Sequence, residues 1–346
     1  MVDKDELRKT AVRLIQADGR RVAPRLVEKF GISRQAANNH LRALLDAGLV
    51  AAEGKTQGRV YRLVATHADM KEYRREGLRD DVPWLELFAP VVGALPANVR
   101  DIWQYGITEM VNNAVEHSEA KTVFVRVEQN ALSTEGWVAD DGVGIFDKIQ
   151  RGLGLFDPQE ALLELAKGKV TTAPAGHTGE GIFFTSKAFD HFGVASRGLV
   201  YGHVVDAPAF LAERREARPG TVVFLELGND TRRTLRSVFD RFSGGEAYDF
   251  SKTLVPIRLA EREGQKLVSR SQARRLTAGL NRFRRVVLDF SGVTEIGQAF
   301  ADEVFRVFAQ ANPKTILVAE KTTRQVQQMV ARAKAGLDGA TAPAGP

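Results

Sequence analysis

The sequence contains no cysteine among its 346 residues. This absence excludes disulfide bonds, zinc sites built from thiolates, iron–sulfur clusters and a cysteine nucleophile. The six histidines are scattered and lack the spacing of metal ligands. No run of about 18 apolar residues occurs, and the first ten residues lack the apolar core of a signal peptide. We therefore expect a cytoplasmic protein with no membrane association.

Charge is distributed unevenly along the chain. The net charge is +6 over residues 1–65, −9 over residues 66–230 and +9 over residues 231–346. A small basic domain is typical of nucleic-acid binding, although a solvated basic surface has the same composition. At roughly 150 residues per domain, the length indicates two or three domains.

The first 65 residues have the pattern of three helices followed by a hairpin. Apolar residues recur at helical spacing over residues 4–17 and 22–30, and Ser33 is a good N-cap for a helix over residues 34–47. Two short strands follow, around a basic tip bounded by glycines. The outward face of the third helix and this tip carry hydrogen-bonding and cationic side chains, namely Arg34, Gln35, Asn38, Asn39, Arg42, Lys55 and Arg59.

This order of elements resembles the winged helix-turn-helix of bacterial regulators. The resemblance implies that residues 1–65 bind DNA. The third helix would read base edges in the major groove, and the wing would contact phosphates or the minor groove. The alternative is a winged helix used for protein contacts or dimerisation, so a homodimer remains open.

Residues 66–96 are predicted to form a connector, because prolines interrupt a stretch that is first charged and then apolar. Residues 97–230 then alternate helix and strand. The predicted elements are a helix over 98–117, strands over 121–129 and 136–141, an irregular stretch over 145–178, a helix over 182–192, and strands over 199–204 and 221–227.

Four short motifs in this middle segment carry candidate chemistry. Glu109 and Asn113 are four residues apart on a helix and therefore share one face. A carboxylate there can polarise an attacking water or hydroxyl, and the amide oxygen can complete an oxygen shell around Mg²⁺. Asp140 ends a strand and is followed by Gly142 and Gly144, whose missing side chains let the backbone approach a flat base.

The third motif is a glycine-rich stretch at the start of a predicted helix. The fourth motif is a Gly-Thr pair at the start of a later strand. Free backbone N–H groups at a helix N-terminus bind phosphate oxygens, but the stretch lacks the Lys-Ser/Thr ending of a P-loop. The residues concerned are Gly176, Thr178, Gly179, Gly181 and Thr221.

In this order, the motifs resemble the N, G1, G2 and G3 boxes of the GHKL ATPase superfamily. The resemblance implies that residues 97–230 form an α/β two-layer sandwich with ATP between helices and sheet. It implies that Glu109 is the general base, that Asn113 binds Mg²⁺ and that Asp140 contacts adenine. The glycines of the second and third motifs and Thr221 would complete the nucleotide site. Residues 145–178 would form a lid, in which Lys167 and Lys169 either close on phosphates or form a solvated pair.

Residues 231–335 alternate strand and helix again and resemble the STAS-like α/β module of bacterial regulators, on the stretch VVLDFSGVTEIGQAFADEVF. Phosphorylatable STAS domains carry Asp-Ser before the second helix, whereas this chain has Gly297-Gln298 there. Ser291 and Thr294 are weaker phosphoacceptor candidates, and docking to a protein partner or dimerisation is the preferred interpretation. Residues 336–346 are small and rich in Pro and Gly, and we expect a disordered tail.

The sequence thus predicts a multidomain regulator in which Mg²⁺-ATP in the middle domain controls binding of DNA or a protein partner, with ATP hydrolysis as the expected reaction. The alternative is an anti-sigma-type serine/threonine kinase acting on another protein. A gyrase-like machine would need a transducer domain, which the C-terminal segment does not resemble. A histidine kinase would need a helical pair before residue 97, and the prolines there argue against one.

Overall fold

The computed structural model describes residues 3–55, 58–170, 179–205, 207, 209–213, 218–244, 249–261 and 266–338. Its strands form three separate sheets of two, seven and three strands. The chain is therefore a multidomain α/β protein. None of the described helices is long and apolar enough to cross a membrane.

The N-terminal domain is a winged helix. Its elements are α1 (Lys4–Ala17), α2 (Val22–Phe30), α3 (Arg34–Asp46), β1 (Val50–Glu53) and β2 (Val60–Leu63). The Ser33 side chain accepts a hydrogen bond from Ala36 N at 3.1 Å and so starts α3, as predicted. The two strands pair antiparallel, and residues such as Leu26, Leu41 and Val50 form a core of their own.

The middle of the chain forms a seven-stranded antiparallel sheet. Its strands are β3 (His67–Arg74), β4 (Thr122–Gln129), β5 (Ser133–Asp140), β6 (His191–Ser196), β7 (Leu199–Val204), β8 (Phe210–Glu213) and β9 (Thr221–Gly228). Their order in the sheet is β3-β4-β5-β9-β6-β7-β8. The segment 66–96, which the sequence presents as a connector, supplies the edge strand β3. Strand β6 begins inside the stretch predicted as a helix over 182–192.

Helices cover one face of this sheet. A π-helical turn (Trp84–Phe88) leads into α4 (Ala89–Val92), and the other helices are α5 (Ala97–His117), α6 (Ile145–Leu153), α7 (Pro158–Lys167), α8 (Gly181–Ala188) and α9 (Leu235–Phe242). Trp103 of α5 is fully buried between the rings of Phe88 and Phe189, at centroid distances of 5.1 and 4.8 Å. Helices α6 and α7 lie where the sequence predicts irregular chain. The side chain of Asp157 caps α7 by accepting from Gln159 N at 2.9 Å.

The C-terminal domain is a three-stranded parallel sheet with helices, as predicted. Its elements are β10 (Lys252–Pro256), α10 (Arg270–Thr277), β11 (Arg285–Asp289), α11 (Gln298–Asp302), α12 (Ala309–Ala311), β12 (Ile316–Glu320) and α13 (Arg324–Asp338), with 3₁₀ turns at Ile257–Ala260 and Leu280–Arg282 and a π-helical turn at Glu303–Phe308. Helix α13 extends to Asp338, three residues into the predicted tail. Residues 339–346 lie outside the described part of the chain.

The middle and C-terminal domains share one continuous apolar core. Phe250 lies between them, with its ring centroid 4.6 Å from that of Phe183 and 5.2 Å from that of Phe283. The winged helix is attached differently, because Leu132 at the β4–β5 turn packs against its separate core and Asp230 pairs with cations of α1. The STAS-like domain is thus the more tightly joined neighbour.

Candidate functional site

A cavity of about 290 Å³ opens between α5, the ends of β5 and β9, and the start of α8. It brings together residues of all four sequence motifs, which are far apart along the chain. The site residues that line it are Glu109, Asn113, Asp140, Gly144, Gly179, Gly181 and Thr221. Such a convergence of a few polar groups in an apolar pocket is typical of ligand sites.

Asp140 ends strand β5 beside Thr221 of β9. Its Oδ1 accepts a hydrogen bond from Gly142 N at 2.9 Å, so Gly142 orients the carboxyl group but does not line the cavity. Burial raises the pKa of the Asp140 carboxyl, against the opposing effect of hydrogen bonds from the Gly142 and Thr221 backbone. A buried carboxylate of this kind is stabilised by a ligand that donates another hydrogen bond.

The adjacent Asp141 has a different environment. It is exposed, and its Oδ1 accepts from Lys121 N at 2.8 Å and from Thr122 N at 3.0 Å. Hydrogen bonds from the backbone of Thr122 and Lys121 lower the pKa of this carboxyl. Asp141 therefore holds the start of β4 in place, and Asp140 alone of the pair lines the cavity.

Apolar side chains form the walls next to Asp140, including Val138, Ile145, Ile149 and Val223. Thr221 Oγ1 accepts from Ile145 N at 3.0 Å and so fixes the start of α6 against β9. The pocket can therefore enclose a flat apolar ring whose edge presents a donor to Asp140.

At Gly144 the backbone has φ +88°, and a Cβ there would lie 2.6 Å from Ser196 Oγ. Only glycine accommodates this conformation without strain, because other residues rarely adopt a positive φ. The glycine that precedes α6 is thus required by the close approach of the chain to β6.

Glu109 and Asn113 lie one turn apart on α5, as predicted, and both line the cavity. Asn113 Nδ2 is buried and has no hydrogen-bond partner within the described residues. A buried amide without a partner is costly, so this atom marks a place where a polar ligand fits. The same face of α5 contributes Asn112 and His117 to the lining.

The start of α8 faces Glu109. A Cβ on Gly181 would meet the Glu109 carboxylate, so a larger residue at this position would push that side chain aside. The N-cap residue Glu180 makes no side-chain hydrogen bond to the first turn of α8. Gly179, Glu180 and Gly181 at the start of α8 line the cavity, and the N–H groups of a helix N-terminus are of the kind that bind anions. Gly176 and Thr178 of the same motif lie outside the described residues.

Lys167 and Lys169 do not line the cavity. Lys167 is fully buried and its Nζ donates to Glu164 Oε1 at 2.6 Å, and the Nζ of Lys169 lies over the rings of Phe250 and Phe283. Among the described lining residues, the lysine at the cavity is instead Lys148 of α6, which the sequence motifs do not include. Its Nζ pairs with Glu119 Oε1 at 2.9 Å. Lys148 lies three residues after Ile145 on α6, so the two side chains share a helix face, and both line the cavity.

Within the described ranges, no group of three or more His, Asp or Glu side chains can hold a metal ion. The cavity offers the Asn113 amide and the neighbouring Glu109 carboxylate as oxygen donors. A divalent cation there would need further oxygens from a ligand and from water, which is the usual state of Mg²⁺ beside phosphates.

The predicted DNA-binding residues are all exposed. Arg34, Gln35, Asn38, Asn39 and Arg42 are all exposed on α3, while Ala37, Leu41 and Leu44 of the same helix are buried. On the wing, Lys55 and Arg59 are exposed, and the Arg59 guanidinium lies over the Tyr61 ring at 5.2 Å. These side chains present donors and cations without competing carboxylates on the first turns of α3.

Two family models match parts of the chain. Residues 4–51 match a winged helix-turn-helix DNA-binding family, and residues 272–326 match a STAS-like domain of unknown function (DUF4325). A comparison with curated proteins finds no match. The chain therefore combines a DNA-binding winged helix with a STAS-like domain, which is the composition of a regulator.

Proposed function

We propose that this regulator binds Mg²⁺-ATP in the cavity of its middle domain and that the nucleotide controls DNA binding by the winged helix. In this proposal the middle domain is of the GHKL type. The observation that carries it is the meeting of Asp140, Asn113 and the start of α8 in one cavity, since each suits a different part of a nucleotide.

The residues present fit ATP in three respects. The half-buried carboxylate of Asp140 lines the cavity and can accept from a donor such as the exocyclic amine of adenine. The apolar walls match the faces of the ring, and the N–H groups at the start of α8 suit phosphate oxygens. Asn113 Nδ2 has no hydrogen-bond partner among the described residues, so it marks a position in the cavity lining where a polar ligand fits.

Magnesium would lie near Asn113, where it would neutralise phosphate charge and orient the reacting oxygen. Glu109 lies one turn earlier on the same face and lines the cavity, and in this proposal it would accept a proton from an attacking water or hydroxyl. Gly181 leaves room for this carboxylate. Asp140 would distinguish adenine from guanine, because guanine presents a carbonyl oxygen where adenine presents an amine.

The path from the cavity to the DNA-binding domain follows β5. This strand runs from Ser133, beside the Leu132 contact with the winged helix, to Asp140 at the cavity, a span of roughly 25 Å at about 3.4 Å per residue. Strand β9 accompanies it and ends near Asp230, which pairs with Arg13 at 3.3 Å. The contacts of Ala131, Leu132 and Asp230 with the winged helix therefore lie at the far end of strands that line the cavity.

The test is nucleotide-dependent genomic footprinting with the intact protein, followed by binding measurements on the sites found. Mg²⁺-ATP should change DNA affinity of the wild type and leave that of Asp140→Asn unchanged at the same concentration. Release of phosphate without a protein acceptor would indicate an ATPase, whereas label transfer to a partner protein would indicate a kinase. DNA occupancy that is identical with and without ATP would refute nucleotide control.

A further inference from the structure

Helix α7 and the three residues after it lie between the cavity and the STAS-like domain. Leu165 and Val170 line the cavity. Glu160, Glu164 and Lys167 lie on another face of the helix, at the i, i+4 and i+7 positions. Glu160 and Lys167 bond the STAS-like domain, and Glu164 pairs with Lys167 within α7. One short segment therefore forms part of the cavity wall and part of the domain interface.

Lys167 is the centre of this interface. Its side chain is fully buried, and its Nζ donates to the backbone oxygens of Arg275 and Ala278, each at 3.0 Å. These carbonyls belong to the last turn and C-cap of α10, which have no partner within the helix. The ammonium group thus caps α10, where a cation also interacts favourably with the helix dipole.

The residues after Lys167 are held by the same domain. Thr253 Oγ1 of β10 donates to the backbone oxygen of Lys167 at 2.6 Å, and an Arg282 Nη1 donates to that of Lys169 at 2.9 Å. Lys169 has φ +57°, a conformation that residues other than glycine rarely adopt. The surrounding contacts hold it there, immediately before Val170 enters the cavity wall.

We propose that the STAS-like domain sets the nucleotide affinity of the cavity through α7, with Lys167 as the positioning residue. The inference rests on the proposed nucleotide function and adds its regulation. Docking of α10 on Lys167 keeps Leu165 and Val170 in the positions that shape the cavity. Any partner that displaces α10 from Lys167 releases this segment and weakens nucleotide binding.

The proposal is tested with Lys167→Met in the intact protein, titrated with Mg²⁺-ATP. Methionine retains the length of the side chain but removes the cap of α10. We expect ATP affinity to fall by roughly 5- to 150-fold, the common range of coupling between two sites. The matched control is Lys321→Met, which breaks a 3.0 Å ion pair with Asp289 inside the STAS-like domain and should leave ATP affinity unchanged.

Hydrogen exchange provides a second readout that needs no variant. Coupling between two sites is reciprocal, so ATP must slow exchange of the α10 amides in the wild type by a comparable factor. If Lys167→Met does not fold, the hydrogen-exchange measurement on the wild type decides. The ATP titration is then made on Arg275→Gln, which removes only the 2.9 Å ion pair with Glu160.

The outcomes separate this inference from the function on which it rests. If the wild type binds ATP but α10 exchange is unaffected, or if Lys167→Met binds ATP as tightly as Lys321→Met, the inference is overturned and the nucleotide site stands. If the wild type binds no ATP, the proposed function fails and the inference fails with it.

Discussion

Replacing Asp140 with asparagine tests the nucleotide site, because it should weaken ATP binding and raise the stability of the nucleotide-free protein. Asparagine retains an oxygen for the Gly142 N–H but places no charge beside the ligand. Losing the hydrogen bond from adenine to a buried carboxylate costs about 1–3 kcal/mol. At about 1.4 kcal/mol per tenfold, ATP should bind roughly 5- to 150-fold more weakly. The affinity for GTP should fall less than the affinity for ATP, because the asparagine amide can donate to the guanine carbonyl.

Stability should change in the other direction. The pKa of Asp140 is raised in the folded protein, so its ionised form costs folding free energy at neutral pH, and this cost disappears as pH falls through the raised pKa. Asp140→Asn should therefore raise the unfolding free energy of the nucleotide-free protein at pH 7. In the wild type, ATP affinity should decline as pH falls through the same pKa.

Asp141→Asn is the matched control, since it changes the neighbouring residue in the same way. Backbone hydrogen bonds lower the pKa of Asp141, so its ionised form stabilises the fold at pH values above the ordinary aspartate pKa. The asparagine variant loses this stabilisation. We expect lower stability and unchanged ATP affinity, measured by urea unfolding and calorimetric titration. If Asp140→Asn lost stability and retained ATP affinity, Asp140 would be a structural residue of the turn.

Two further predictions concern chemistry and DNA recognition. Glu109→Gln should retain ATP binding and lower phosphate release by roughly 10²–10⁴-fold, the usual contribution of positioned proton transfer, and equal turnover at saturating Mg²⁺-ATP would remove Glu109 from the reaction. Changing Arg34, Asn38 and Arg42 together to alanine should abolish specific DNA binding in a mobility-shift assay while ATP binding survives. Wild-type DNA affinity should fall steeply with salt because phosphate contacts release counterions, and a flat salt dependence would contradict the assignment.

Local signals predicted the winged helix to within about one residue at each helix end. Ser33 caps α3, and Gly31 ends α2 in the left-handed region, so both boundaries depend on neighbouring residues alone. Strand β3 has no such signal, because seven of its eight residues are exposed. Only pairing with β4, about 55 residues later, makes it a strand. Its edge position was therefore beyond prediction from local hydrophobic alternation.

Local sequence pattern does not predict the positions of Lys167 and Lys169, the two lysines of the predicted lid, because neither lines the cavity. A Lys-Gly-Lys stretch near a glycine-rich motif is typical of phosphate binding, but Lys167 pairs with Glu164 and donates to two backbone oxygens 108 and 111 residues away. The two backbone oxygens decide its role. Nothing near Lys167 in the sequence specifies them. The start of α7, by contrast, has a local signal in the sequence, because Asp157 is an N-cap residue and Pro158 follows it at the first helical position.

The attachment of the winged helix yields the last prediction. The ion pairs of Asp230 with Lys9 and Arg13 are exposed, and such pairs contribute about 0–1 kcal/mol. The apolar contact of Leu132 should therefore carry most of any coupling along β5. In Leu132→Ala, DNA affinity without nucleotide and ATP affinity should stay near wild type, while the effect of ATP on DNA affinity should shrink. Asp230→Asn should reduce that effect less. An ATP effect of wild-type size in Leu132→Ala would show that coupling bypasses this contact.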